Sequence, residues 1–125
     1  MQITRILHAS VNTADRVEAT HDFYAGVLGL APAPRPDIGI PGSWLDVDAA
    51  QVHLVGFPTV GVAIDPSDHH ICFGVTDLGA ATAELDAAGV AWVAADQTQL
   101  DGRVVRQVFL ADPAGNTIEL QEDAR

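Results

Sequence analysis

The chain has no lysine. It has six arginines and seventeen acidic residues, which gives a net charge of −11. A surface this acidic argues against nucleic acid or an anionic membrane as a partner. The absence of lysine excludes Schiff-base chemistry through a side chain. A single cysteine, Cys72, excludes an internal disulfide. Because there is neither a signal-peptide pattern at the N-terminus nor an apolar run of about 18 residues, we expect a soluble, cytoplasmic protein.

What the chain does contain is enough apolar sequence for one packed domain. Its 125 residues are 48% hydrophobic, and a chain of this size buries roughly two-thirds of its unfolded surface on folding. We therefore expect a single domain over residues 1–125, with a first module over 1–56, a linker over 57–68 and a second module over 69–122.

The division into modules comes from an internal repeat of acidic and ligand-type residues. Four pairs of such residues share the same spacing, with the second residue seven positions after the first. These pairs are His8 and Asp15, His70 and Asp77, Asp46 and His53, and Asp112 and Glu119. Because a repeat of this kind reflects a repeated structural unit, it places three histidines and one glutamate at equivalent positions of two half-domains.

Hydrophobic periodicity predicts the same βαβββ order in both halves, and hence an α+β fold. The first half is predicted to hold a strand over 3–12, a helix over 15–28 between Asp15 and Gly29 as caps, an irregular edge strand or loop over 31–42, and strands near 43–48 and 51–56. The second half is predicted to hold a strand over 69–76, a helix over 78–88 between Asp77 and Gly89, strands near 90–95, 103–111 and 116–122, and a tight turn over 112–116. Residues 57–68 are a candidate linker or lid.

Strand parity puts the ligand-type residues on one face of the sheet. Side chains alternate along a strand, so His8 points away from the face of Leu7 and Ala9. The same alternation separates His70 from Ile71, His53 from Val52 and Leu54, and Glu119 from Ile118 and Leu120. In all four strands the apolar residues can pack on helices while the ligand-type residue faces the other way.

Three imidazoles and one carboxylate on a common face predict a site for one divalent metal ion, with His8, His53, His70 and Glu119 as ligands. This donor set does not distinguish Zn, Ni, Fe, Mn and Co. Further residues are candidates to contact a substrate at this face. They are Asn12, Gln51 and Cys72 as polar groups, Trp44 as a stacking aromatic, and Arg106 as a cation. Arg103 has the opposite parity to Arg106, and Arg35 could reach over the site from the proline-rich segment.

These segments resemble the vicinal oxygen chelate superfamily, which includes glyoxalase I, methylmalonyl-CoA epimerase, fosfomycin-resistance enzymes, extradiol dioxygenases and bleomycin-binding proteins. The similar segments are His8 to Asp15, Phe23-Tyr24 with Leu28-Gly29-Leu30, His70 to Leu78, and Asp112 to Leu120. The resemblance implies two modules that form a cupped mixed sheet around a divalent metal, with helices on the outer face, commonly in a homodimer. On that resemblance His8, His70 and Glu119 match the usual three ligands, and His53 stands where many members have Glu or Gln.

The expected function is that of a metal-dependent enzyme of glyoxalase type, an isomerase or lyase that acts on a small 2-oxo or 2-hydroxy compound. The metal would polarise adjacent oxygens of the substrate, and the base would be Glu119 or a hydroxide held by the metal. A ring-cleaving dioxygenase, an epoxide-opening transferase and a non-catalytic drug- or metabolite-binding protein remain open as alternatives. The sequence also leaves open whether each site forms within one chain or between two.

Overall fold

A computed structural model describes residues 1–56, 64–111 and 116–123 of the chain. The elements in chain order are β1 (Ile3–Ala14), α1 (Val17–Asp22), a π-helical stretch (Phe23–Val27), β2 (Ala31–Ala33), β3 (Gly42–Val47), β4 (Ala50–Gly56), β5 (His70–Val75), α2 (Leu78–Ala87), β6 (Trp92–Thr98), β7 (Val104–Ala111) and β8 (Thr117–Glu122). The predicted α+β class and the paired βαβββ modules are confirmed. Most of the predicted 57–68 linker and 112–116 turn, residues 57–63 and 112–115, lies outside the described residues.

The eight strands form one mixed, cupped sheet with a two-fold pattern. Their order is β2-β3-β4-β1-β5-β8-β7-β6. From the centre of the sheet to each edge, the two modules therefore have the same strand order. β1 pairs in parallel with β4, β5 pairs in parallel with β8, and β1 and β5 meet antiparallel at the centre. The four ligand-type residues of the repeat, His8, His53, His70 and Glu119, therefore lie on the four central strands.

The second helix begins and ends as predicted, but the first does not. Asp77 caps α2 by accepting a hydrogen bond from the backbone N–H of Ala80. The prediction that Asp15 caps the first helix is wrong, because α1 begins only after Arg16 and its N-cap makes no side-chain hydrogen bond. A turn ends β1 at this point, with Ala14 at φ 50° and Arg16 N donating to Thr13 O at 2.8 Å. This turn delays the start of the helix by two residues.

The main apolar core lies between α2 and the second half of the sheet. It consists of Val75, Leu78, Ala81, Leu85, Val108 and Leu120. The outer face of the central strands is covered less completely than strand parity implied, since Ile71 remains 44% exposed and Ile6 50% exposed. Among the helices that the structure describes, none is long and apolar enough to cross a membrane.

One irregularity in β1 changes the predicted facing of a residue. The pairing of β1 with β5 shifts between Ile6 and His8, so that Ile6 lies opposite Phe73 and His8 lies opposite Cys72. Leu7 is the extra residue of this bulge, and it lines a pocket together with His8. The prediction that Leu7 faces away from His8 is therefore wrong, because a bulge breaks the alternation of side chains.

Candidate metal centre

Three of the four predicted ligands converge at the floor of the cup. The Oε2 atom of Glu119 lies 2.9 Å from the Nε2 atom of His8 and 2.9 Å from the Nε2 atom of His70. The two imidazole nitrogens are 3.1 Å apart. All three side chains are buried, with Glu119 only 1% exposed. The three atoms form a nearly equilateral triangle at the junction of β1, β5 and β8.

The spacing of these atoms fits a shared metal ion. Two ligand atoms at about 2.1 Å from an ion, and at right angles to each other, are about 3.0 Å apart. Glu119 Oε2 is buried, and it has no hydrogen-bond donor among the described residues although both imidazoles are close to it. A buried carboxylate oxygen without a donor is costly unless a cation satisfies it. The donor set and the unsatisfied oxygen are therefore those of a divalent metal site.

Neighbouring groups orient two of these side chains. The Nδ1 atom of His70 donates to the carbonyl oxygen of Asp68 at 2.7 Å, which leaves the Nε2 lone pair directed at the cluster. Glu119 accepts at Oε1 from the amide groups of Gln107 and Gln121 at 2.9 and 2.7 Å. Burial raises the pKa of Glu119, but the nearby His70 and His8 side chains outweigh it and hold that pKa well below its usual range. Glu119 is therefore a carboxylate with Oε2 free for a cation.

His53 lies beside the cluster in a different orientation. Its ring stacks on the His8 ring at 3.8 Å between centroids and on the Trp44 ring at 4.2 Å. Its Nε2 atom donates to Gln51 Oε1 at 2.8 Å, and the Gln51 amide group in turn donates to Asp46. Burial, with the neighbouring His8 next in size, lowers the pKa of His53 to about 2, so the ring is neutral. A ring stacked face to face on His8 does not point at the same ion, and the fourth-ligand role stays a prediction.

Cys72 lies close behind this cluster, and its sulfur is within 4.8 Å of ligand atoms of His8 and Glu119. The side chain has no exposed surface and lines neither of the two pockets over the cluster. Burial and the charge of Glu119 raise the pKa of the thiol far above its usual range, which disfavours the thiolate that a metal would need. Because His70 is closer and better oriented, it is the stronger candidate for the third ligand. The predicted contact of Cys72 with substrate has no free surface to support it.

Two adjoining pockets open over the cluster. The first, about 490 Å³, contains the triangle of ligand atoms. The second, about 310 Å³, shares His8, Trp44 and His53 with it. Of the predicted substrate contacts, Trp44 lines both pockets and Gln51 lines the second.

The remaining predicted contacts lie elsewhere. Asn12 lines neither pocket and instead bonds the backbone N–H of Ala14. Arg106 lines neither pocket, and its side chain is 59% exposed and pairs with Asp96. Arg103, of the opposite parity, lines the second pocket, and Arg35 lines the first. Alternation along β7 thus places Arg103 rather than Arg106 at a pocket, and a substrate contact of Arg106 stays a prediction.

Three residues at the site carry no individual signal in the sequence. Ser10 places its hydroxyl 3.0 Å from His70 Nε2, and Gln107 bonds Glu119 from the neighbouring strand. Phe109 packs its ring edge-on against His70. The parity of β7 relative to β8 would have found Gln107 and Phe109, since Phe109 pairs with Glu119 in the sheet.

Comparison with known proteins agrees with this geometry. Residues 5–120 match the family model of the Glyoxalase/Bleomycin resistance protein/Dioxygenase superfamily. A curated relative, "Glyoxylase I 4" of Arabidopsis thaliana, is 32% identical over 126 residues, which cover 96% of this chain and 71% of the relative.

Solved structures share the fold. The methylmalonyl-CoA epimerase of Mycobacterium tuberculosis is 24% identical with a TM-score of 0.70, covering 98% of this chain and 90% of that one. A superfamily member from Vibrio splendidus is 17% identical with a TM-score of 0.68, covering 98% and 100%. At these identities the two structures show the fold alone.

Proposed function

The chain belongs to the glyoxalase/bleomycin resistance protein/dioxygenase superfamily, and from that premise we propose that it is a metal-dependent enzyme of glyoxalase type. One divalent ion would be held by His8, His70 and Glu119. The substrate would be a small 2-oxo or 2-hydroxy compound in the pockets above, and the reaction an isomerisation or lyase reaction. The sequence relative called "Glyoxylase I 4" supports this reaction class.

The observation that carries the proposal is the triangle of ligand atoms. A buried, ionised carboxylate beside two imidazoles could also be a structural ion pair, but then an N–H of a ring would point at the oxygen. Instead Glu119 Oε2 is without a donor among the described residues, while both Nε2 atoms lie 2.9 Å away. This arrangement is expected of three side chains that bind one common cation.

A divalent ion held by His8, His70 and Glu119 would supply Lewis-acid chemistry, that is, polarisation of two adjacent oxygens of the substrate and stabilisation of negative charge on them. The protein's own groups supply position and protonation. Gln107 and Gln121 hold Glu119 by Oε1, so Oε2 is the atom that would hold the ion, and Glu119 would accept a proton at Oε2 only after leaving the ion. The depressed pKa of this carboxylate suits a cation-binding role better than a basic one.

The pocket is matched to a small substrate. Its volume of about 490 Å³ lies within the usual range for small-molecule sites, about 300 to 1,000 Å³. One wall is apolar, with Ile38, Ile40, Val55 and Phe109, and the polar groups gather at the floor. Trp44 offers a flat face beside His53, against which a planar group can stack. A homodimer, the division of the chain into modules at 57–68 and a cytoplasmic location remain parts of the proposal.

The first experiment is elemental analysis of untagged protein purified without chelator, for wild type, His70→Ala and His69→Ala. His69 is the control because it is adjacent in sequence but exposed. We expect about one equivalent of metal in wild type and His69→Ala, and loss of that metal in His70→Ala. Full occupancy in His70→Ala would contradict the site.

The metal found then directs the activity assays. Zn, Ni, Mn or Co would lead to assays with 2-oxoaldehydes in the presence of thiols, and with epimerisable 2-substituted acids. Iron would favour the dioxygenase alternative and direct oxygen-uptake assays with catechols. A wild-type protein that neither contains nor acquires metal would overturn the enzyme proposal in favour of a binding protein.

A further inference from the structure

The first pocket has one cationic side chain in its wall. Among the described residues that line it, Arg35 is the only arginine. Arg35 therefore shares this pocket with the candidate ligands His8, His70 and Glu119. Asp37, Asp96 and Glu119 line the same pocket, so attraction of an anion depends on direct contact with the Arg35 guanidinium and not on the overall charge of the pocket.

The guanidinium of Arg35 is poorly satisfied by the protein. One NH2 group donates to the carbonyl oxygen of Ile40 at 3.0 Å, and Nε is buried without an acceptor. Among the described residues no carboxylate lies within ion-pair distance of it. Burial lowers the pKa of Arg35, and the charge of Asp37 opposes this only in part. A guanidinium has five donors in a planar fork, and among the described residues the Ile40 carbonyl is the one protein acceptor paired with that of Arg35.

Arg35 is also held in place. It lies between Pro34 and Pro36, whose rings restrict the backbone on both sides. Its guanidinium packs over Gly42, where a Cβ atom would come within 2.7 Å of the terminal nitrogen. A binding group fixed in this way loses little conformational entropy when a ligand arrives. Rigidity, unused donors and position in the pocket wall are together the properties of an anion-binding residue.

We propose that Arg35 binds a carboxylate of the substrate at the end remote from the oxygens held at His8, His70 and Glu119. The substrate class is thereby narrowed to 2-oxo or 2-hydroxy compounds with a second, anionic end. This inference rests on the proposed function for the position of the first end, and Arg35 determines specificity rather than the chemical step. A planar, bidentate contact between guanidinium and carboxylate fits the unused donors.

The test compares two probes that differ at the remote end alone: 2-oxoglutarate and its 5-methyl ester. Calorimetric affinities are measured for wild type, Arg35→Gln, Arg35→Lys and Arg16→Gln. Arg16 is the control because it is an exposed arginine at the start of α1, outside both pockets. A charge-assisted hydrogen bond corresponds to a factor of roughly ten or more in affinity.

We expect wild type and Arg16→Gln to prefer the acid by about tenfold or more. Arg35→Gln should lose that preference through weaker binding of the acid and unchanged binding of the ester, and Arg35→Lys should recover part of it. Equal preference in wild type and Arg35→Gln would overturn the proposal, as would no preference in wild type.

A second measurement separates this proposal from the metal site. Metal-free protein is titrated with glutarate and its monomethyl ester, neither of which has a 2-oxo group, while the Nε–H resonance of Arg35 is followed by NMR. A shift of that resonance with glutarate alone supports the carboxylate contact even if no metal is ever bound. An unmoved resonance in a protein that does bind metal would refute the role of Arg35 and leave the proposed function intact.

Discussion

Replacing His53 by alanine should weaken metal binding far less than replacing His70. The His70 nitrogen Nε2 faces Glu119 Oε2 at 2.9 Å, with Nδ1 anchored on the carbonyl of Asp68. The His53 ring lies flat on the His8 ring, and its Nε2 hydrogen is already given to Gln51. His70 is therefore oriented as a ligand, whereas His53 supports the ligand His8 from the side.

The expected magnitudes follow from these contacts. An aromatic pair contributes about 0.5–1.5 kcal/mol, and tenfold in affinity is about 1.4 kcal/mol, so His53→Ala should weaken metal binding about twofold to twelvefold. Loss of a group that only orients a ligand costs roughly 10- to 100-fold. Loss of the ligand His70 should therefore exceed about 100-fold.

The assay is competition between metal-free protein and a chromophoric chelator for Zn²⁺ or Co²⁺. It is run on wild type, His53→Ala, His70→Ala and the control His69→Ala, and thermal unfolding followed by circular dichroism verifies that each variant is folded. If His53→Ala loses as much metal affinity as His70→Ala, the reasoning is refuted. It would show that His53 is a fourth ligand and that its stack on His8 breaks when metal binds.

Three further predictions test the surroundings of the site and the fold. Gln121→Leu removes a 2.7 Å hydrogen bond to Glu119 Oε1, and the same competition assay should show affinity lower by about 10- to 100-fold; a change below about twofold would contradict the orienting role. Asp77→Ala should lower the free energy of unfolding by about 1 kcal/mol in urea titrations, while Asp15→Ala, which removes no cap, should stay within about 0.5 kcal/mol. Cys72 should resist iodoacetamide in the native protein and react once urea unfolds it, because burial raises the pKa of its thiol; rapid native labelling seen by mass spectrometry would show that the residue is accessible.

The topology of the sheet and the location of the site could be predicted because both depend on repetition and alternation. Equal spacing of residues in the two halves indicates that the two modules have the same structure. The pairing of β1 with β4 and of β5 with β8 agrees with this. His8 pairs with Gln51, two residues before His53, while His70 pairs with Thr117, two residues before Glu119. Once two central strands meet on a two-fold axis, equivalent residues must come together at the axis.

The errors arise where local backbone geometry departs from these regularities. The left-handed conformation at Ala14 delays α1, and no residue type with a preference for that conformation marks it in the sequence. The bulge at Leu7 is one of several register shifts along β1, and it changes the alternation of the side chains that precede His8. Such features depend on the pairing partner across the sheet, and a pattern read along one strand does not contain that information.

The repeat predicts the backbone positions of the site residues but not the orientations of their side chains. The two halves of the site differ in these orientations. His53 and Glu119 occupy equivalent backbone positions. Glu119 is held by two amide donors on one oxygen, which turns the other oxygen to the cluster. His53 is held by one amide acceptor, which is itself fixed by Asp46, and by the rings on either side of it. Equivalent positions thus carry opposite hydrogen-bonding needs, because a carboxylate requires donors and a neutral imidazole N–H requires an acceptor. The orientation of the side chain at the His53 position should therefore depend on Gln51, Trp44 and His8, which surround it.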